Sequence, residues 1–446
     1  MTPVRRFAAD GVERIRQRIL GSPIFLWVLG VYAATRIWGW VVFSLVGRQQ
    51  QSSPWGSGPM SYLQFIAIWD GDWYRHIAQV GYPSTLPVDL SGSVDQNPWA
   101  FYPLFPMTVS GLMRVTGLSW PAAGGLVSIA CGAVASILLY GFFTSARAVA
   151  SRSEDAGGEQ YVSPRRILHG LGLKQPGRGI DRFALWSTAL VLLNPIAPIL
   201  QVPYAESMNF MFLAGFLLAL VRGNLVICSL VLIPTCLSRP VGVPVAAALG
   251  FWWLTRFVLA YRERSSTEGF ARFAASFRRT ARYLGVALFA CVCALAWPGI
   301  AWIATGRYDA YTSTETAWRG EHLLPVQPWI DQSLNYFGAP GPLILLILVL
   351  GFLWVMHSRV VLTTLPRNIR YWCYAYVTYL LIFLFPQSST FRLLLPVFPL
   401  AAPLVVLSES RAYRATLLIG AALGQLIWVG WLWHWKELPS GGDYPP

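Results

Sequence analysis

Two carboxylates, a guanidinium and an imidazole fall within seven residues of an otherwise oily stretch: Asp70, Asp72, Arg75 and His76 in IWDGDWYRHIAQVGYP, residues 68 to 83. A carboxylate at the edge of an apolar environment is a candidate general base, since it can accept a proton from a hydroxyl held where bulk water is scarce. On a wheel of about 100° per residue, Phe65, Ile66, Trp69, Trp73, Ile77 and Val80 share an apolar arc of about 120°. That pattern predicts one helix lying in a membrane interface, ended by Gly81 with Pro83 just beyond. Asp70 and Tyr74 fall past one border of the arc, Asp72 and Arg75 past the other, and His76 just inside it. Asp70 and Asp72 are about 160° apart, which argues against a paired acid–base dyad. Asp72 and His76, four residues apart, read as a local surface pair. The alternative to a site is an amphipathic anchor with a satisfied polar flank.

Further polar residues sit where apolar runs end. Asn194 and Pro195 open, and Tyr204 and Glu206 close, the stretch NPIAPILQVPYAES; Arg239 precedes Pro240; Arg392 follows FPQSSTF. A buried interfacial arginine is a natural receptor for a lipid phosphate, because its planar fork grips two phosphate oxygens at once. Snorkelling toward headgroups is the alternative for a lone arginine. Two arginines and two acids directed to one face favour a ligand site.

The elements that must position these groups are membrane spans. Of the 446 residues, 55% are hydrophobic and 12% charged, a composition that excludes an ordinary soluble domain. Eleven apolar segments predict spans: 24–46, 122–146, 183–200, 205–221, 223–238, 241–259, 284–304, 340–357, 371–386, 393–408 and 415–434. The first is too long for a cleaved signal peptide and reads as a permanent helix. An N-terminus inside places 25 of the 34 basic residues on the cytoplasmic side, as the positive-inside rule demands. The net charge of +14 therefore reads as topology and contact with anionic lipid, concentrated in 147–182 and 256–283, rather than nucleic-acid binding. The bias to arginine, with lysine only at Lys174 and Lys436, suits a GC-rich bacterial genome.

The segment 100–115 is apolar but short and holds two prolines, so it is expected to be interfacial or re-entrant; as a span it would invert every later loop. A long first extracytoplasmic loop, 47–121, follows from that. A second, 305–339, interleaves Asp309, Glu315, Glu321, His322 and Asp331 with Tyr308, Tyr311, Trp318, Trp329 and Tyr336, suiting a polar ligand. The whole of 1–446 reads as one all-helical membrane domain without internal repeats. Six cysteines, all in apolar stretches, are expected to be buried structural thiols, and the five scattered histidines give no metal-binding spacing.

The blocks WDGDWYRHIAQVGY (with Tyr102 in the following FYPLFP), NPIAPILQVPYAES, SRPVG and STFRLLLPVFPL, in that order, resemble the second mannosyltransferase of glycosylphosphatidylinositol assembly, PIG-V, and its bacterial relatives. The resemblance runs from about 65 to 400. It implies a GT-C-like glycosyltransferase that uses a polyprenyl-phosphate sugar, with Asp70 the essential acid of the first outer loop. Asp72 has no counterpart in many relatives, and Arg392 is displaced by one position from the eukaryotic pattern. The resemblance implies that Asp70 deprotonates an acceptor hydroxyl while Arg392 and Arg239 hold the donor phosphate. Trp69, Asp72, Trp73, Tyr74, His76, Tyr102, Tyr204 and Glu206 are expected to contact substrate. The donor would be polyprenyl-phosphate-mannose, the acceptor a lipid-linked glycan or glycolipid, and no metal or other cofactor is expected. Arabinofuranose or another sugar is the nearest alternative. A lipid or solute transporter, with Arg36, Glu206 and Arg239 lining its path, and a non-catalytic scaffold are the alternatives of other classes.

Overall fold

The computed structural model describes residues 24–155, 180–263, 269–319, 324–437 and 446. Among these the chain is all-helical, with no strand, and six helices are long and apolar enough to cross a membrane, or seven if one bent pair counts as a span. The protein is therefore a membrane-embedded helical bundle. Each of the eleven apolar segments is helical over most of its length. Residues 1–23 and most of 147–182, like Glu321 and His322, lie outside the described residues.

α1 (Ile24–Gly47) leads to a four-residue helix, α2 (Tyr62–Phe65), then α3 (Asp70–Val80) and α4 (Leu104–Thr116). α4 packs against α3 and α5 (Trp120–Asp155), and its 13 residues are about 20 Å long. α6 (Arg182–Leu193) and a 3₁₀ turn (Ala197–Gln201) precede α7 (Ala205–Val221), whose apolar residues surround its axis. Such a helix must be covered on all sides. α5 and α8 (Leu225–Ser238) cover α7, burying 14 of its residues.

A second group joins α8 to α9 (Gly242–Glu263), α10 (Gly269–Thr305) and later α15 (Arg367–Phe383). Between them lie α11 (Ala310–Arg319), α12 (Gln327–Phe337), α13 (Gly341–Met356) and the short α14 (Arg359–Thr364). α12 and α13, the latter covering the expected span 340–357, are bent by 120°. Gly338 takes φ +65° at the corner, and a Cβ on Gly341 would meet the Ser333 carbonyl at 2.0 Å, so the corner needs both glycines. A 3₁₀ segment (Ser388–Leu400), α16 (Ala401–Val406), α17 (Arg411–Trp428) and a π turn (Val429–Trp433) complete the chain.

The segments 47–121 and 305–339 fold against each other. Leu86, Trp99 and Tyr102 of the first form a small separate core with Trp297, Ala301 and Ala310, and the Trp297 indole donates to the Trp99 carbonyl at 3.1 Å. Five cysteines are buried as expected; Cys291, on α10, is exposed instead, because α10 presents that side to the surroundings of the bundle.

Candidate active site

Asp70 begins α3 because the helix is broken in front of it. The sequence predicts one helix through Phe65 and Val80; the structure has α2 and α3 with a bend at Ile66–Trp69, where Trp69 takes φ +61°. A bulky residue there carries strain of about 1–3 kcal/mol, which the surroundings must hold in place. They do so with three buried hydrogen bonds. The Trp69 indole donates to the Trp433 carbonyl at 2.8 Å, the Trp433 indole to the Phe65 carbonyl at 2.8 Å, and the Tyr204 hydroxyl to the Ile68 carbonyl at 3.1 Å. The break rotates the expected face: Gly71, Tyr74, Ile77 and Ala78 are buried, whereas Val80 is exposed. Gly81 ends the helix as expected, at φ +92°.

Glu206 lies in the first turn of α7 and is almost wholly buried. Arg239 follows the last residue of α8, which stops because Pro240 disfavours a helical residue before it. Asn209 of α7 donates to the Thr235 carbonyl at 3.0 Å and to Ser238 at 2.9 Å, satisfying the end of α8. Arg392 sits in the 3₁₀ segment, whose carbonyls are met by α15: Tyr376 donates to Leu393 at 2.8 Å and Trp372 to Pro396 at 2.9 Å.

These elements assemble four charges. Arg392 Nη2 lies 2.5 Å from Asp70 Oδ2, Arg392 Nη1 lies 3.7 Å from Glu206 Oε1, and Arg239 Nη1 lies 2.5 Å from the same Glu206 oxygen. The Tyr204 ring centroid is 5.6 Å from the Arg392 guanidinium, a cation–π contact. Two of the arginine's donors, Nε and Nη1, have no hydrogen-bond acceptor among the described residues. A void of about 20 Å³ lies among Glu206, Asn209, Arg239 and Arg392, room for about one water.

Above the charges opens a cavity of about 620 Å³, within the usual range for small-molecule sites. Of the residues picked out from the sequence, Trp69, Asp70, Asp72, Trp73, Tyr74, Tyr102, Arg239 and Arg392 line it. Tyr204 and Glu206 do not; they stand behind the arginines and hold them. His76 is exposed and does not line the cavity, and Asp72 pairs with Arg75 rather than with His76, because α3 turns its third and sixth residues together on its outer side. The two aspartates thus keep separate partners.

Glu315 and Trp318 of α11 join the lining, so the segment 305–339 shares the cavity with 47–121. Tyr102 and Tyr311 meet at 3.4 Å between hydroxyls; burial pushes both phenols far above the ordinary tyrosine range, and the charge of Glu315 adds to it. Asn194 accepts from the Ile196 N–H at 2.9 Å and shapes a turn instead of facing the site. Arg36 is also structural, donating to the carbonyls of Leu192 at 2.8 Å and Ala197 at 2.7 Å. Trp433 and Tyr376 escaped the sequence reading: an aromatic inside an apolar run carries no sign that its polar atom meets a distant carbonyl. Trp55, which packs on Trp69 with centroids 5.0 Å apart, was hidden in the same way in the segment 47–121.

The arrangement can therefore present a carboxylate to a hydroxyl and two guanidinium groups to an anion, with an apolar lip of Leu380, Phe383, Leu384 and Phe385 beside them. Compared with protein-family models and with curated proteins, the chain matches none.

Proposed function

We propose that the chain is an inverting, GT-C-like glycosyltransferase that moves mannose from polyprenyl-phosphate-mannose to a lipid-linked glycan or glycolipid. In this reading the chain crosses a bacterial plasma membrane eleven times with its N-terminus in the cytoplasm, so that Asp70 works at the outer face. The observation that carries the proposal is the Asp70–Arg392 pair, at 2.5 Å, facing a cavity with one apolar lip. A prenyl chain needs an apolar surface, its phosphate needs guanidinium groups, and an acceptor hydroxyl needs a base; all three requirements meet there. The likeness of the motifs around Asp70, Arg239 and Arg392 to PIG-V supports the same reading.

The incoming donor phosphate takes Arg392 from Asp70, so donor binding both seats the leaving group and uncovers the base. Arg392 lines the cavity, and leaving Asp70 frees its Nη2 for a phosphate oxygen. Asp70 accepts the proton of the acceptor hydroxyl. The acceptor oxygen bonds to the anomeric carbon as the bond from that carbon to the phosphate oxygen breaks, the electron pair leaving on the phosphate. Arg392 and Arg239 stabilise that developing charge in a site of low dielectric. Attack from the side opposite the phosphate converts a β-linked donor to an α-linked product. The donor arrives activated, so the chemistry assigns no step to a nucleotide or a metal.

The test supplies radiolabelled polyprenyl-phosphate-mannose and a bacterial glycolipid extract to purified protein in lipid nanodiscs. A labelled glycolipid, lost in Asp70→Asn while the protein stays folded, is the expected result. Transfer of labelled arabinofuranose instead would change the sugar and keep the mechanism; no covalent product from either donor discards the reading.

A further inference from the structure

Three aromatic rings from three different elements meet at one side of the cavity. Trp73 of α3 stacks on Phe101, with centroids 5.8 Å apart and planes 16° apart. Trp318 of α11 stands edge-on to both, at 5.3 Å from Trp73 and 5.7 Å from Phe101. All three are half-buried and line the cavity. Beside them the lining carries polar groups: the carboxylates of Glu315 and Asp72 and the amide of Gln96. The indole N–H of Trp318 is buried and has no hydrogen-bond acceptor among the described residues. A buried donor without an acceptor is destabilising unless something fills its place. Tyr74 stands between this wall and the charges, its ring 5.1 Å from Phe101 and 6.0 Å from Tyr204, on which Arg392 rests.

A pyranose ring has the complementary chemistry. Its faces are patches of C–H groups that lie on aromatic rings, and its rim is hydroxyl groups that bond to carboxylates, amides and indole N–H groups. A prenyl chain uses the rings alone and offers no acceptor to the Trp318 indole N–H, and a phosphate would meet the carboxylates of Glu315 and Asp72. We infer that Trp73, Phe101 and Trp318, with Glu315 and Gln96, form a sugar-binding subsite that receives a hexopyranose of the acceptor glycan, apart from the arginines that take the donor phosphate. The assignment of that sugar to the acceptor rests on the glycosyltransferase reading; the existence of the sugar site does not.

The experiment uses the full chain in lipid nanodiscs, which avoids sugar-headed detergents, with octyl α-D-mannopyranoside as probe and octanol as control. Binding is read by saturation-transfer NMR, and transfer by radiolabelled polyprenyl-phosphate-mannose with the same probe as acceptor. The wild-type chain is expected to bind the mannoside saturably and octanol at least tenfold more weakly. Trp318→Leu and Glu315→Gln are each expected to weaken mannoside binding about tenfold or more, and to raise the acceptor KM while leaving the donor KM within about twofold. Gln96→Ala, at an exposed position that cannot unfold the protein, is expected to weaken binding severalfold. Trp354→Leu, on the outward face of α13, leaves binding as it is. Absence of saturable mannoside binding, or binding indifferent to Trp318, Glu315 and Gln96, overturns the subsite, and an equal rise in donor KM overturns its assignment to the acceptor. Mannoside that binds through these residues but is never glycosylated leaves the sugar site standing and overturns its assignment to the acceptor.

Discussion

Asp70 and Arg392 are ion-paired at 2.5 Å, the carboxylate from the first turn of α3 and the guanidinium from a 3₁₀ segment near the other end of the chain. Neither group is free while the pair holds. In the proposed glycosyltransferase reading this pair couples two events: Asp70 becomes available as a base when the donor phosphate draws Arg392 away.

Asp70→Asn keeps the size and one hydrogen-bond acceptor of the side chain but removes the proton acceptor. Transfer is expected to fall by about 10²–10⁴-fold, the usual contribution of a positioned base. Donor binding should persist, since Arg392 is released rather than lost. Kinetics with labelled donor, alongside a binding isotherm for the same donor, checks both.

Glu206 is the anchor of both arginines. Replacing it by Gln leaves Arg239 and Arg392 buried without a counter-charge on that side, and one broken buried pair costs about 3–5 kcal/mol. Thermal unfolding in nanodiscs should show a clear loss of stability. The reverse change, Asp72→Asn, breaks only the exposed pair with Arg75 and is expected to leave stability within about 0.5 kcal/mol.

Trp433→Phe removes the hydrogen bond to the Phe65 carbonyl while keeping an aromatic ring against Phe43 and Tyr204. The orphaned carbonyl costs about 1–3 kcal/mol. Because this contact braces the strained backbone at Trp69, kcat is expected to fall more than KM changes. Equal effects on stability and activity, with no split between kcat and KM, would show that Trp433 serves the fold alone.

The loop that introduces α11 titrates in acid. Hydrogen bonds from Arg307 and Ser313 hold the Asp309 carboxyl at about 2, below its ordinary value of 3.8. A carboxyl whose folded pKa is depressed stabilises the fold above its unfolded value and loses that contribution as pH falls through the folded one. Between pH 4 and pH 2 the protection of amides in residues 310–319, taken relative to the intrinsic exchange rate at each pH, should therefore fall, and Asp309→Asn should remove that fall.

The sequence alone determined that the chain is a helical, membrane-embedded protein and which charged residues stand out against its apolar runs. Apolar runs, arginine asymmetry and the punctuation by Gly81, Pro83 and Pro240 are local signals, and a helix in a membrane must satisfy its own backbone within its own segment. Asp70, Arg239 and Arg392 were legible for the same reason, since a charge beside an apolar run needs an explanation wherever it packs.

The tertiary structure decided which charges meet and which apolar helix faces what. α7 and α13 are both apolar all round, yet α7 is the buried centre of the bundle whereas only Gly341 and Met356 of α13 are buried. Lipid is as apolar as a protein core, so hydropathy cannot separate the two. The break at Trp69 was equally invisible, because its cause is not the local propensity of residues 65 to 80 but three hydrogen bonds involving Tyr204 and Trp433. Periodicity is written between neighbours in the chain, whereas the partner of a buried polar atom is chosen by contacts between segments remote in sequence, and only folding brings those together.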